Sequence, residues 1–168
     1  MLKKLFGKGK NKEEETLSQL GNSFKSLEEA QSYFSDYRTQ KLKKLEELAQ
    51  EFEVFEVNYK AKSLIGLETL YHQFYISKTI AAPVHQSEFT ELIIYYNAAV
   101  FIHYGLGEWQ VQEGLFAPGQ YMDGILYGYG SWSNLAYADQ IDTKNPNHDS
   151  LLKEFMMFIP KEEEHKYL

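Results

Sequence analysis

The sequence predicts an α+β protein, a helix-rich single domain with a long buried central helix and a small antiparallel sheet. Three observations carry that expectation. Leucine outnumbers valine 19 to 5, favouring helix formers over the β-branched residues that strands prefer. Apolar residues recur at helical spacing through most of the chain up to His103. Seven of the eleven glycines then fall between 105 and 130, where helix gives way to strands and turns.

Met1 to Glu15 is basic and then acidic, and its apolar residues Leu2, Leu5 and Phe6 are too few for a signal-peptide core. Residues 1–22 are expected to be a charged tail, with a marginal membrane-surface contact as the alternative. Ser26 and Glu29 form a capping box that opens a helix. Its stripe Leu27, Ala30, Phe34, Tyr37 resumes as Leu42, Leu45, Ala49, Phe52 after a five-residue step, which rotates the apolar face by about 140°. A break near Thr39 and Gln40 is the expectation. Phe55, Val57 and Tyr59 alternate as in a short edge strand over 53–59. Leu64, Leu67, Leu70, Tyr71, Phe74 and Tyr75 mark a second amphipathic helix behind Ser63, ending before Pro83.

Residues 87–104 are the expected centre, because apolar side chains occupy nearly every face and such a helix must be covered all round. Ser87 is its candidate cap and Gly105 its stop; the rival reading is a strand pair at 92–96 and 100–104, with poor hairpin chemistry between them. Glu108 to Glu113 alternates as a half-buried strand, Pro118-Gly119 reads as a turn, and Asp123 to Tyr129 as a second strand. That strand puts Ile125, Tyr127 and Tyr129 on one face; three glycines at about 1 kcal/mol each weigh against a helix there. Ser131 or Ser133 is expected to open a short helix carrying Trp132, Leu135, Ala136 and Tyr137. After a polar loop at 143–148, Asp149 or Ser150 caps a last helix, Leu151 to Phe158, closed by Pro160. The expected organisation is a tail at 1–22, one globular domain at 23–160 and a charged tail at 161–168.

Charge and composition exclude several functions. The net charge is −7, and the four lysines of the first ten residues leave 13 basic against 24 acidic side chains, −11, on the other 158. Such a body repels phosphate backbones, so no nucleic-acid partner is expected and a basic protein partner is favoured. The absence of cysteine removes disulfide scaffolds, zinc ribbons and thiol catalysis. The longest apolar run, Leu92 to Tyr104, is interrupted by Asn97 and His103 and is short for a membrane span, so a cytoplasmic protein is expected.

No catalytic set, metal site or cofactor is predicted. His72 with Glu68 is the one helical pair of ligand type, and it offers two ligands where a site needs three or four. Gly130-Ser131-Trp132 lacks the second glycine of a nucleophile elbow, and Gly105-Leu106-Gly107 runs from helix to strand, opposite to a dinucleotide fingerprint. The unusual feature is 26 aromatic residues, with Tyr121, Tyr127, Tyr129, Trp132 and Tyr137 set among glycines. Large rings with polar tips suit a binding face, and equally suit packing on the central helix.

The order helix, Gly105-Leu106-Gly107, a strand opening Glu108-Trp109, a strand Gly124-Ile125-Leu126-Tyr127-Gly128 and short C-terminal helices resembles a layout shared by uncharacterised small bacterial proteins, some of them similar to immunity proteins of toxin systems. The resemblance covers residues 87–158 with Gly107 and Trp109 as landmarks, and transfers no site. Phe101 to Gly105 also resembles a strand motif of fucosidases, in a chain too short for a catalytic barrel of about 250 residues. The expected function is a non-enzymatic binder, such as a toxin-neutralising immunity or regulatory protein, whose acidic aromatic face docks a basic protein. The alternative is a small-molecule binder or small hydrolase with a pocket between the central helix and the 108–129 hairpin, lined by Tyr96, Trp109 and Tyr127, with His103 or Glu108 as acid/base. A homo-oligomer is the third reading.

Overall fold

The computed structural model describes residues 22–114, 117–127, 131–134 and 141–167, so the expected tail at 1–22 lies outside the described residues except for Asn22, as do Tyr129 and Tyr137. Helix α1 (Leu27–Phe52) starts at the expected box: Ser26 Oγ accepts the Glu29 amide at 3.2 Å, while the Glu29 carboxylate accepts the Lys25 amide at 2.9 Å, one residue before the cap. The expected break at Thr39 and Gln40 is absent, and α1 runs unbroken for 26 residues. Its rotated stripe serves two partners instead. Ala30 and Phe34 pack with Val111 of the sheet, whereas Leu45 and Leu48 enter the helical core.

The expected edge strand at 53–59 is also absent. Val54, Phe55, Val57 and Tyr59 pack on the core from an irregular coil, and tyrosine hydroxyls replace a ladder: Tyr96 Oη accepts the Tyr59 amide and Tyr104 Oη the Ala61 amide. Alternation here reports burial, which a coil segment achieves without strand pairing. Helix α2 (Ser63–Tyr71) begins without a side-chain cap, since the Ser63 hydroxyl donates to the Lys60 carbonyl, and it passes directly into a π-helical turn (His72–Ile76). Gly66 is where α2 meets that coil; a Cβ there would lie 2.2 Å from Phe55 Cβ.

Helix α3 (Gln86–His103) is central, and every residue from Tyr95 to Phe101 is buried. The cap is His85 rather than Ser87, because His85 Nδ1 accepts the Ser87 amide. Gly105, at φ +70°, ends the helix as expected. Tyr37, Lys41 and Lys44 of α1 pair with Glu91 and Glu88 of α3 and tie the two helices together at their wet edge.

The sheet is antiparallel with four strands: β1 (Asn22–Ser23), β2 (Gly107–Gly114), β3 (Ala117–Tyr127) and β4 (Ser131–Asn134). β2 flanks one side of β3; β1 pairs Asn22 with Tyr121 and β4 pairs Trp132 with Leu126 along β3's other side. Pro118 and Gly119 are strand residues, not a turn, because Gly114 already faces Ala117 and the hairpin closes before them. Residues 131–134, where Ser131 or Ser133 is expected to open a helix, form β4 instead, so Trp132 sits in a ladder; Leu135, Ala136 and Tyr137 lie outside the described residues. Val111, Asp123 and Ile125 face inward against α1 and α3. The polar loop leads to α4 (Ser150–Met156), and residues 161–166 wind a 3₁₀ turn that sets Tyr167 against Tyr104 and Phe155.

Candidate binding pocket beside the central helix

Four pieces of chain converge where α3, β3 and α4 meet. Ile94, Asn97, Ala98 and Phe101 come from α3, Ile125 and Tyr127 from β3, and Glu154 and Phe158 from α4 and the turn after it. Between them lies a mostly apolar, partly open pocket of about 30 Å³. The spacing 94, 97, 98, 101 is one helical stripe, and Ile125 and Tyr127 are two apart on β3, so these walls follow from helical and strand periodicity.

Two polar side chains in this lining each carry one unpaired atom. Asn97 and Glu154 are 8% and 9% exposed, and among the described residues both Asn97 Oδ1 and Glu154 Oε2 are buried with no hydrogen bond. Burial alone pushes the Glu154 carboxyl up to about 7. Both orphaned atoms are acceptors when Glu154 is ionised, and leaving such atoms unmade costs about 1–3 kcal/mol each. At the rim, Phe158 meets Tyr127 edge-on at 5.8 Å, and Met157 beside it is 82% exposed.

The residues singled out in the sequence are distributed differently. Tyr127 lines the pocket, half-buried. Tyr121, also half-buried, packs at the other end of β3 against Phe24. Trp132 lies on β4, with its side chain outside the described residues, as are Tyr129 and Tyr137. The pocket is not lined by Tyr96 or Trp109: the Tyr96 hydroxyl is bound to Ser63 and the Tyr59 amide, and Trp109 lies under Arg38 at 4.6 Å. His103 and Glu108 are exposed, away from this lining. Asn97 and Glu154 were missed as site residues. Their signal was present, since each is a polar residue on an otherwise apolar stripe.

A second buried polar group has a structural task. Glu68 of α2 is fully buried and accepts the Ser150 hydroxyl at 2.8 Å and the Leu151 amide at 2.9 Å, so it caps α4 in place of Asp149, whose side chain makes no cap. Beside it, His72 stacks on His148 with ring centroids 4.0 Å apart. Burial, then the neighbouring His148, hold the His72 imidazole below its ordinary value. Among the described residues no group of three or more ligand-type side chains is arranged to hold a metal.

A covered central helix, a four-stranded antiparallel sheet and a small pocket with unpaired acceptors thus define an α+β protein with a cavity at its helix–sheet junction. The chain belongs to the family described as Uncharacterised protein YwmA, whose model matches residues 23–159. No curated protein and no solved structure matches it. Among the described residues, no helix is long and apolar enough to cross a membrane.

Proposed function

We propose that the chain is a non-enzymatic binding protein whose acidic body docks a basic protein partner at the face where this pocket opens. The observation that carries the reading is the pairing of two unpartnered buried acceptors with the aromatic residues Tyr127 and Phe158 in one lining, Phe158 being next in the chain to the exposed Met157. The net charge of −11 over residues 11–168 speeds encounter with a basic surface, and aromatic rims hold complexes once formed. A toxin-neutralising immunity or regulatory protein is the finest form of this reading. A second reading, a small-molecule binder, is supported by the apolar lining of the pocket around two polar groups.

A photo-crosslinking side chain at position 157, tested in cells, separates these. The expected result is one adduct with a basic protein, lost in Phe158→Asp and weakened by salt. No adduct, or an adduct only with a second copy of the chain, overturns the docking reading.

A further inference from the structure

We infer that the pocket between α3, β3 and α4 is a site for a primary alkylammonium group, seated between Asn97 Oδ1 and Glu154 Oε2 with its carbon chain against Ile94, Ala98, Phe101 and Phe158. The inference rests on this pocket being the seat of binding, but not on the partner being a protein.

Three independent features lead there. The first is donor–acceptor balance: the two orphaned atoms are both acceptors, so the complementary group is one that donates and does not accept, and an ammonium carries three donors and no lone pair. The second is charge. Among the described residues, ionised Glu154 has no cationic partner: the neighbouring Lys153 is paired with Asp149 at 2.9 Å, and none of the residues supplied by α3 or β3 to the lining is basic. Tyr127 is the one other titratable side chain lining the pocket. The third is the lining: the pocket is mostly apolar around those two acceptors, which suits an unbranched methylene chain behind a compact head. A bound water satisfies the first feature but leaves the carboxylate's charge uncompensated.

A lysine side chain and a free small amine share this chemistry. Calorimetric titration of the full chain at pH 8 with n-pentylamine, Nα-acetyl-lysine N-methylamide and n-pentanol tests the site and distinguishes its sources. Expected is one-to-one amine binding at least tenfold tighter than pentanol, lost tenfold or more in Glu154→Gln, a variant whose melting curve verifies folding. The affinity rises from pH 5.5 to pH 8 in the parent and stays flat in the variant, because binding the cation requires the ionised carboxylate. Equal binding of amine and pentanol, unchanged binding in Glu154→Gln, or a pocket that holds only water at millimolar amine overturns the inference. If the lysine derivative binds as the free amine does, the source is a lysine; if the free amine alone binds, it is a small molecule. Failure here leaves the crosslinking result at position 157 to decide the docking reading separately.

Discussion

Arg38 of α1 forks onto both carboxylate oxygens of Asp123 on β3, with Nε 2.9 Å from Oδ2, and its guanidinium lies over the Trp109 ring. Asp123 is fully buried and also accepts the Gly124 amide. Burial pushes its carboxyl up against the pull of Arg38, so the pair holds a charge that the site would otherwise expel. Through this contact the longest helix is fixed in register on the sheet.

Arg38→Met is therefore expected to destabilise the protein by about 3–5 kcal/mol, because it leaves a buried carboxylate without its partner. The double variant Arg38→Met with Asp123→Leu recovers most of that loss, since an apolar pair needs no compensation. Urea denaturation of the parent, both single variants and the double variant measures the coupling. Additive losses would show that the two side chains act independently.

Removing the Glu68 cap acts locally. Glu68→Leu leaves the Leu151 amide and Ser150 hydroxyl without their acceptor, at a cost of about 1–3 kcal/mol. Hydrogen exchange is expected to show faster exchange at 151–156 while amides of the central helix keep their protection. Uniform acceleration across both helices would place the loss in global stability instead.

The stacked histidines give an acid response with a defined sign. The His72 imidazole lies below its ordinary value of 6.5 in the folded protein, so the unfolded chain binds more protons just below that pH and this site's contribution to stability falls as pH drops. His72→Phe removes the titration. The stability difference between variant and parent is expected to move in the variant's favour from pH 7 to pH 5, read from urea midpoints at each pH.

Glu154 works in the opposite direction. Its carboxyl is raised from 4.5 to about 7, so its favourable contribution is complete below pH 4.5 and is lost as pH rises to about 7. Glu154→Gln, which cannot ionise, is expected to gain on the parent across that window, by about 3 kcal/mol at pH 8. A pH-independent difference would mean that the carboxyl is better solvated than its surroundings indicate.

The parts legible in the sequence were those governed by local rules. The Ser26 cap, the apolar central helix with its Gly105 stop and the alternation around Trp109 each depend on neighbours within a turn or a strand. What failed depended on distant partners. The bend at Thr39 disappeared because the sheet and the helical core sit on different sides of one straight helix. The run from Ser131 became a strand because β3 offered an open edge. The α4 cap arrives from Glu68, 82 residues earlier than the hydroxyl it holds. The pocket was hidden for the same reason, since Asn97 and Glu154 meet only through packing of α3 and α4 against β3.

The unbroken α1 gives the molecule a splint. Its 26 residues extend about 39 Å, with one end seated on the sheet and the other in the helical layer. Neither layer can peel away without prising off the same rod, so heat or denaturant should dissolve both in a single step, and neither half should survive alone when expressed as a fragment.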